Sequence, residues 1–253
     1  CPTIVAVNTA HSALVDLGFR GDNILFVTGS AKRLVLDDNS RISLSNNDLN
    51  VGSTVFGYNA LDGNTDNNSD RNTAIGYGSM DGLGSSTTAD NIGIGYNTFG
   101  GTVTGSCAGN VVIGNNAMDA NMANINNNVV VGFNAMTAVT GVSTSNVAIG
   151  SSVLGASTAI LRAVAIGDGA LGGAEAADHA VAIGYSSMYA TTGAKNTALG
   201  YQAANLLTSG SECTVVGYDS DVGANDAVNQ TVIGSEVTGV GNNSVTLGNS
   251  AVT

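Results

Sequence analysis

The sequence predicts an all-β fold, a parallel β-solenoid of about 12 short coils that follows a small N-terminal β unit. A four-residue motif of Thr or Val, a small residue, a large aliphatic residue and Gly recurs throughout residues 51–253. The chain has 35 Gly but only 1 Pro, and 10% of its residues are charged, against about 25% in an ordinary soluble domain. Evenly spaced Ile and Val in an uncharged polar chain favour stacked strands joined by tight turns over disorder.

The N-terminal unit is separated from the repeats by a change in charge balance. Residues 1–41 carry four acidic and four basic residues, whereas the rest carries 15 acidic and 3 basic residues, which leaves the whole net charge of −12 there. We therefore place a β cap or shaft unit at residues 1–50 and the β-roll repeat domain at residues 51–253. An acidic repeat surface excludes a nucleic-acid partner, because such binding needs Lys and Arg. With no run of 18 apolar residues, we expect no membrane insertion.

A glycine marks each coil of the repeat domain. The interval between successive glycines is 19 residues at first, then 18, 17 or 16, and finally 14. Gly tolerates a positive φ or a bulge, so we expect it to turn the strand. Coils stacked roughly 4.8 Å apart would build a rod of roughly 55 Å. The glycines are Gly57, Gly76, Gly95, Gly114, Gly132, Gly150, Gly167, Gly184, Gly200, Gly217, Gly234 and Gly248.

The residues around each glycine predict the two faces of the strand. Because side chains alternate along a strand, we expect the residues one and three before Gly to fill the coil. The small residue two before Gly, such as Ala148 or Ala165, then points outward and lets another subunit approach closely. A bulky apolar residue four after Gly is expected on a second short strand that closes the core. Its members are Leu61, Met80, Phe99, Met118, Met136, Leu154, Leu171 and Met188.

Two further residue types, one polar and one aromatic, recur at fixed distances from the glycines. Asn recurs four before Gly, and stacked Asn amides can bond from coil to coil as a ladder. Tyr recurs one after Gly, either as a stacked column that braces the coils or as a stripe that stacks on sugar rings. The Asn residues are Asn72, Asn91, Asn110, Asn128, Asn146 and Asn196. The Tyr residues are Tyr58, Tyr77, Tyr96, Tyr185, Tyr201 and Tyr218.

The repeat resembles the head repeats of trimeric autotransporter adhesins, whose motif runs Asn-Ser-Val-Ala-Ile-Gly. The nearest copies are residues 146–150, 163–167 and 180–184, and the resemblance extends over residues 50–253. It implies that each chain forms a left-handed β-roll and that three chains pack around a threefold axis as a homotrimer. The adhesin coil is shorter than most coils here, and only the final interval of 14 residues matches it.

The longer coils are similar to tail fibres and structural proteins of marine phages. These coils run Asn-Thr-Ala-Ile-Gly-Tyr and continue into a loop rich in Ser, Thr and Gly. Residues 16–20, 33–37 and 41–48 resemble the β units before such repeats, and residues 244–250 the junction where those chains continue. The resemblance implies an extracellular virion fibre, on tail or capsid, that contacts other virion proteins and attaches to a cell-surface glycan or protein receptor. The alternative location is the bacterial cell surface, as an adhesin head.

Catalysis is not predicted, and no cofactor is expected. The sequence lacks CxxC, HExxH and GxxxxGK[ST] motifs, and His179 is expected to be an exposed residue at a strand end. Asp219 and Asp221 are close enough to suggest the carboxylate pair of a fibre-borne glycan hydrolase, although solvated loop acids are the favoured interpretation. A passive decoration or filament subunit is a further alternative. Hexapeptide acyltransferases are excluded, because the six-residue step from Ile113 reaches Asp119.

One weak metal candidate remains. Asp62, Asn64, Asp66 and Asp70 place oxygen atoms at alternate positions, as Ca²⁺ prefers, but the segment lacks the EF-hand Gly and Glu. A solvated turn is the favoured interpretation, with Ca²⁺ binding as the alternative. The three cysteines, Cys1, Cys107 and Cys213, are odd in number and far apart, so no disulfide framework follows. A first residue other than Met is typical of a chain cut from a longer one.

Overall fold

The computed structural model describes residues 24–28, 31–36, 42–43 and 52–251, apart from 63–68, 84–87 and 176. The chain divides into two compact units, Cys1–Ser40 and Arg41–Thr253. In the first unit, strand β1 (Ile24–Thr28) pairs antiparallel with β2 (Ala31–Leu36), with a register shift between Phe26 and Val27. In the second unit, β3 (Ile42–Ser43) pairs antiparallel with the first strand of the repeats.

The second unit is built on one long sheet. Twelve strands of three residues each stack in parallel and in register, one for each copy of the motif. Each strand occupies the three residues before a glycine, because the β-branched and aliphatic residues there favour extended backbone. The strands are β4 (Thr54–Phe56), β6 (Thr73–Ile75), β8 (Ile92–Ile94), β10 (Val111–Ile113), β12 (Val129–Val131), β14 (Val147–Ile149), β16 (Val164–Ile166), β17 (Val181–Ile183), β18 (Thr197–Leu199), β19 (Thr214–Val216), β20 (Thr231–Ile233) and β21 (Val245–Leu247).

A second, shorter sheet lines another side of the first coils. Six parallel strands of two residues each form it, and its order follows the chain. The chain is therefore an all-β parallel solenoid of about ten turns, which confirms the predicted all-β solenoid, whereas the prediction gave about 12 coils. The six strands are β5 (Ser69–Asp70), β7 (Thr88–Ala89), β9 (Cys107–Ala108), β11 (Ile125–Asn126), β13 (Ser143–Thr144) and β15 (Ile160–Leu161).

Glycine ends each strand of the long sheet, as predicted. From Gly57 to Gly234 the φ angles of this column lie between 126° and 152°, a region that L-residues with a side chain rarely adopt. The column also has no room for a Cβ. A Cβ on Gly114 would overlap the carbonyl oxygen of Gly132 in the next coil and lie 2.6 Å from its carbonyl carbon. The close stacking of the coils therefore requires Gly at this position.

The predicted assignment of the two strand faces is wrong. In β14 the small residue Ala148 is completely buried, whereas Ile149 is 38% exposed and Val147 is half-buried. The coil interior is narrow beside such a strand, because a bulky residue from the turn of the preceding coil already fills it. A Cβ on Gly93, for example, would lie 2.7 Å from Cγ of Met80. The strand therefore turns its small residues inward and its large aliphatic residues outward.

The bulky residues four after Gly are buried as predicted, but not on a strand. They lie in the turn after the glycine and adopt left-handed backbone, with φ of 51° at Met118, 53° at Met136 and 48° at Met188. This conformation costs roughly 1–2 kcal/mol per residue. Burial of a side chain of this size contributes about 1.5–3 kcal/mol, so packing offsets the backbone cost. The second sheet comes from residues six and seven before the next Gly instead.

The predicted Asn ladder is confirmed for five of its six residues. Asn196 lies outside it, and its Nδ2 donates to the backbone oxygens of Gly193 and Gly210. Nδ2 of Asn110 donates to Oδ1 of Asn91 at 2.9 Å, and Nδ2 of Asn128 donates to Oδ1 of Asn110 at 2.9 Å. The backbone N of each residue donates to the same oxygen, so one amide satisfies two donors of the next coil. The ladder runs from Asn72 to Asn146 and ends where Oδ1 of Asn146 accepts from the backbone N of Ala163. The ladder therefore satisfies the buried backbone and amide groups of successive coils.

Candidate functional site

The main candidate surface is the outer side of the long sheet, here called the sheet face. It consists of the outward side chains of the twelve strands, one and three residues before each Gly. Ile113 is 37% exposed, Ile149 38% and Leu199 46%, so the described part of the chain leaves these aliphatic side chains in contact with solvent. The large apolar residues that expose more than a third of their surface there are Phe56, Ile92, Ile113, Val129, Ile149, Leu199, Ile233, Val245 and Leu247.

The sheet face is long, narrow and continuous. It is three residues wide at roughly 3.3 Å per residue and spans eleven strand spacings of roughly 4.8 Å, on the order of 500 Å² in projection. The largest apolar patch on a typical monomer covers about 300–600 Å² and is often functional. A repetitive aliphatic strip of this size is suited to packing against another flat surface. Between the aliphatic residues it carries the hydroxyl groups of Thr54, Thr73, Thr197, Thr214 and Thr231.

Stacked tyrosines form one edge of the sheet face. The ring centroids of Tyr58 and Tyr77 lie 5.2 Å apart and those of Tyr77 and Tyr96 lie 5.5 Å apart, with interplanar angles of 16°. A second stack joins Tyr185, Tyr201 and Tyr218 at 5.2 Å spacings. Within each stack the ring faces meet each other. This is the arrangement that the bracing interpretation predicts, and it leaves mainly ring edges for a sugar.

The opposite edge is a column of exposed residues five before each Gly, here called the corner column. Every member from Arg71 to Asn243 has left-handed backbone, with φ between 52° and 69°. Sequence reasoning missed this column, although a fixed spacing from the glycines marks it. All basic residues of the repeat region lie in it. In order, its members are Gly52, Arg71, Asp90, Gly109, Asn127, Ser145, Arg162, His179, Lys195, Glu212, Asn229 and Asn243.

Two ion pairs run along the corner column between neighbouring coils. Arg71 binds Asp90 through two hydrogen bonds, Nε to Oδ1 at 2.6 Å and Nη2 to Oδ2 at 2.8 Å. This hydrogen-bonded guanidinium holds the pKa of the Asp90 carboxyl below its usual range. Nζ of Lys195 lies 3.2 Å from Oε1 of Glu212. Both pairs are exposed, so each contributes little to stability.

The predicted calcium ligands are only partly described. Asp62 and Asp70 belong to described segments, whereas Asn64 and Asp66 lie outside the described residues. Over the described ranges, no group of three or more His, Cys, Asp and Glu could hold a metal ion. The calcium site therefore stays a prediction.

The prediction of two solvated loop acids is correct for Asp219, which is exposed, but wrong for Asp221, which is half-buried. Asp221 accepts hydrogen bonds from the backbone N of Leu206 at 2.7 Å and of Val222 at 2.9 Å, one at each carboxylate oxygen. Burial raises the pKa of Asp221, and these bonds partly oppose that rise. Asp219 is exposed in a left-handed turn. Asp221 thus anchors a loop, which favours a structural role for this pair.

The remaining residues considered in the sequence are His179, which is exposed, and two cysteines, which are buried. His179 is exposed at the corner before its strand, as predicted, and its Nε2 lies 3.3 Å from Nη1 of Arg162. Cys107 and Cys213 are free and buried. Burial raises the pKa of the Cys107 thiol to about 12, so the reactive thiolate is disfavoured.

Comparison with known proteins yields no match to a family model, a curated protein or a solved structure. Across the described segments, the structure also holds no helix with the length and apolar character needed to cross a bilayer.

Proposed function

We propose that the chain is a structural fibre subunit that assembles into a homotrimer of left-handed β-rolls, each with about twelve coils. The sheet face carries this proposal. It exposes aliphatic side chains such as Ile113 and Ile149 on seven of the twelve coils, and large exposed apolar patches mark association surfaces. Large residues, not the small ones first expected there, would form the contact between subunits.

A second copy of the chain is the partner that best fits the sheet face. Three flat strips around a common axis bury one another and enclose a continuous apolar core along the rod. The adhesin-like motif at residues 146–150 favours this threefold arrangement. A closed ring also leaves no protomer with an open contact surface, which prevents indefinite growth.

The role of such a rod is mechanical. Each strand is hydrogen-bonded to the next coil, as Val112 in β10 is paired with Gly93 and Val130 in the neighbouring strands. The Asn ladder ties the coil interiors together. The loops opposite the sheet face display polar residues such as Asn121 and Thr140 to a receptor or to other virion proteins. We therefore place the fibre on a phage tail or capsid, where it attaches to a host and performs no catalysis.

A bacterial surface adhesin head is the second candidate, since the same motif and the final 14-residue interval favour it. Both candidates share the trimeric rod and differ in where it is displayed. Specific binding of the purified rod to a bacterial envelope supports the phage fibre, whereas binding to eukaryotic cells or matrix supports the adhesin. A rod that binds neither is a decoration or filament subunit.

The trimer is tested by placing a charge in the sheet face. Ile149→Asp should convert the assembly to monomers in sedimentation velocity, because three buried carboxylates would meet near the axis. Val142→Asp is the matched control, since Val142 is 46% exposed on a loop outside the sheet face. Equal association of the two variants would refute the proposed interface.

Sustained glycan turnover by the trimer, abolished by one carboxylate substitution, would refute the non-catalytic role.

A further inference from the structure

The aliphatic sheet face alone does not set the axial position of one protomer against the next. Ile, Val and Leu recur on nearly every coil, so a shift by one coil, roughly 4.8 Å, brings similar side chains into contact. A shift repeated between neighbours does not close into a ring and leads to an open helical assembly. A distinctive contact at one coil would remove this ambiguity, as a single polar residue does in coiled coils.

Such a contact is available in the coil of Gly167. Arg162 stands in the corner column before strand β16, and its Nη1 lies 3.3 Å from Nε2 of His179. Arg71 and Lys195, in contrast, each have a carboxylate partner within the column. Among the described residues, Arg162 is the basic side chain of the repeats without an acidic partner.

The tyrosine edge changes in that same coil. The residue one after Gly is Tyr in six coils, but it is Asp168 in the coil of Gly167. Asp168 is the single charged residue of this column, is exposed, and makes no ion pair or side-chain hydrogen bond within the described part of the chain. One coil therefore carries a cation without an acidic partner at one edge of the sheet face, and an anion without a basic partner at the other.

Threefold symmetry brings these two edges together. In a heterologous ring around an axis parallel to the rod, the corner column of each protomer lies beside the tyrosine edge of its neighbour at the same height. We propose that Arg162 of one protomer pairs with Asp168 of the next, three times around the axis, and sets the axial register of the trimer. This inference rests on the proposed homotrimer. A shift by one coil would place Arg162 against Ser151 or Tyr185 instead.

A charge-reversal cycle tests the pairing on the full chain. Arg162→Asp and Asp168→Arg should each raise the concentration at which the trimer dissociates about tenfold, since three weak exposed pairs become three repulsions. The double variant should restore the wild-type concentration, because it exchanges the two charges. Asn127→Asp is the matched control, two coils earlier in the corner column, exposed and left-handed. Its neighbours in the column, Gly109 and Ser145, are uncharged, so it should leave association unchanged.

The outcomes separate this inference from the proposed function. A double variant that associates no better than the single variants, while the wild type is trimeric, overturns the register pair and leaves the trimer intact. A wild-type chain that sediments at 25.0 kDa overturns the trimer and the register pair together. Circular dichroism of each variant establishes that the coils are folded, since both positions are exposed and neither contributes to the core.

Discussion

The glycine column gives the sharpest test of how closely the coils stack. In the Gly114→Ala variant the added Cβ would overlap the carbonyl oxygen of Gly132, at a φ of 142° that a side chain strongly disfavours. Backbone strain of this kind costs about 1–3 kcal/mol, and forcing a methyl group into a filled site costs about another 1–3 kcal/mol. The free energy of unfolding should therefore fall by about 2–6 kcal/mol.

Urea denaturation followed by circular dichroism measures this loss. Gly241→Ala is the matched control, because nothing lies within 4 Å of its added Cβ and its φ is not in the restricted region. That variant should change stability by at most about 1 kcal/mol, and in the stabilising direction. A Gly114→Ala variant as stable as Gly241→Ala would refute the close backbone approach between coils.

Three further predictions concern the Asn ladder, a buried cysteine and a half-buried aspartate of the repeat domain. Asn110→Ala should destabilise the fold by about 1–3 kcal/mol, since it leaves the amides of the neighbouring coils unpaired. Asn205→Ala is its control, because Asn205 is exposed and outside the left-handed positions, and it should change stability by less than about 0.5 kcal/mol in the same urea denaturation; equal effects would contradict the ladder. The buried Cys107 should resist maleimide at pH 8 in the folded protein and react in denaturant, as peptide mapping by mass spectrometry would show; labelling of the folded chain would contradict its burial. Burial and nearby Asp62 raise the pKa of Asp81 above 3.8, so the folded state retains the proton longer and loses stability as the pH rises from about 3.8 through the folded pKa. Asp81→Asn should therefore be more stable than the wild type at pH 7 and lose this advantage below about pH 3, and a constant difference across a pH series would refute this effect.

The sequence predicted the fold class because every coil carries the same chemistry at the same distance from its glycine. The Asn ladder was predictable for the same reason, as an amide such as Asn110 repeats at the position where neighbouring coils meet. Which face of each strand is buried was not predictable, because the alternation of side chains separates the two faces without showing which of them points inward. That choice depends on volume, because Met80 and its counterparts occupy the interior and leave room beside it for Gly93 or Ala.

Two other features were beyond local sequence rules. Left-handed backbone is uncommon for a bulky apolar residue, so the buried turn position of Met118 was wrongly placed on a strand. The corner column was overlooked because its members, among them Arg162 and Asp90, share a backbone conformation and not a side-chain type. Their common role becomes visible only when the coils are stacked and their corners fall in line.

The most direct test of the central claim is a set of end-on electron-microscope class averages of the purified rod. Three protomers with Ile149 and its aliphatic counterparts turned toward a common axis predict averages with threefold symmetry and a filled centre. The particles should have a mass of three chains of 25.0 kDa, about 75 kDa. Single-lobed end views of particles with the mass of one chain would contradict the account, because the sheet face would then stay exposed to solvent.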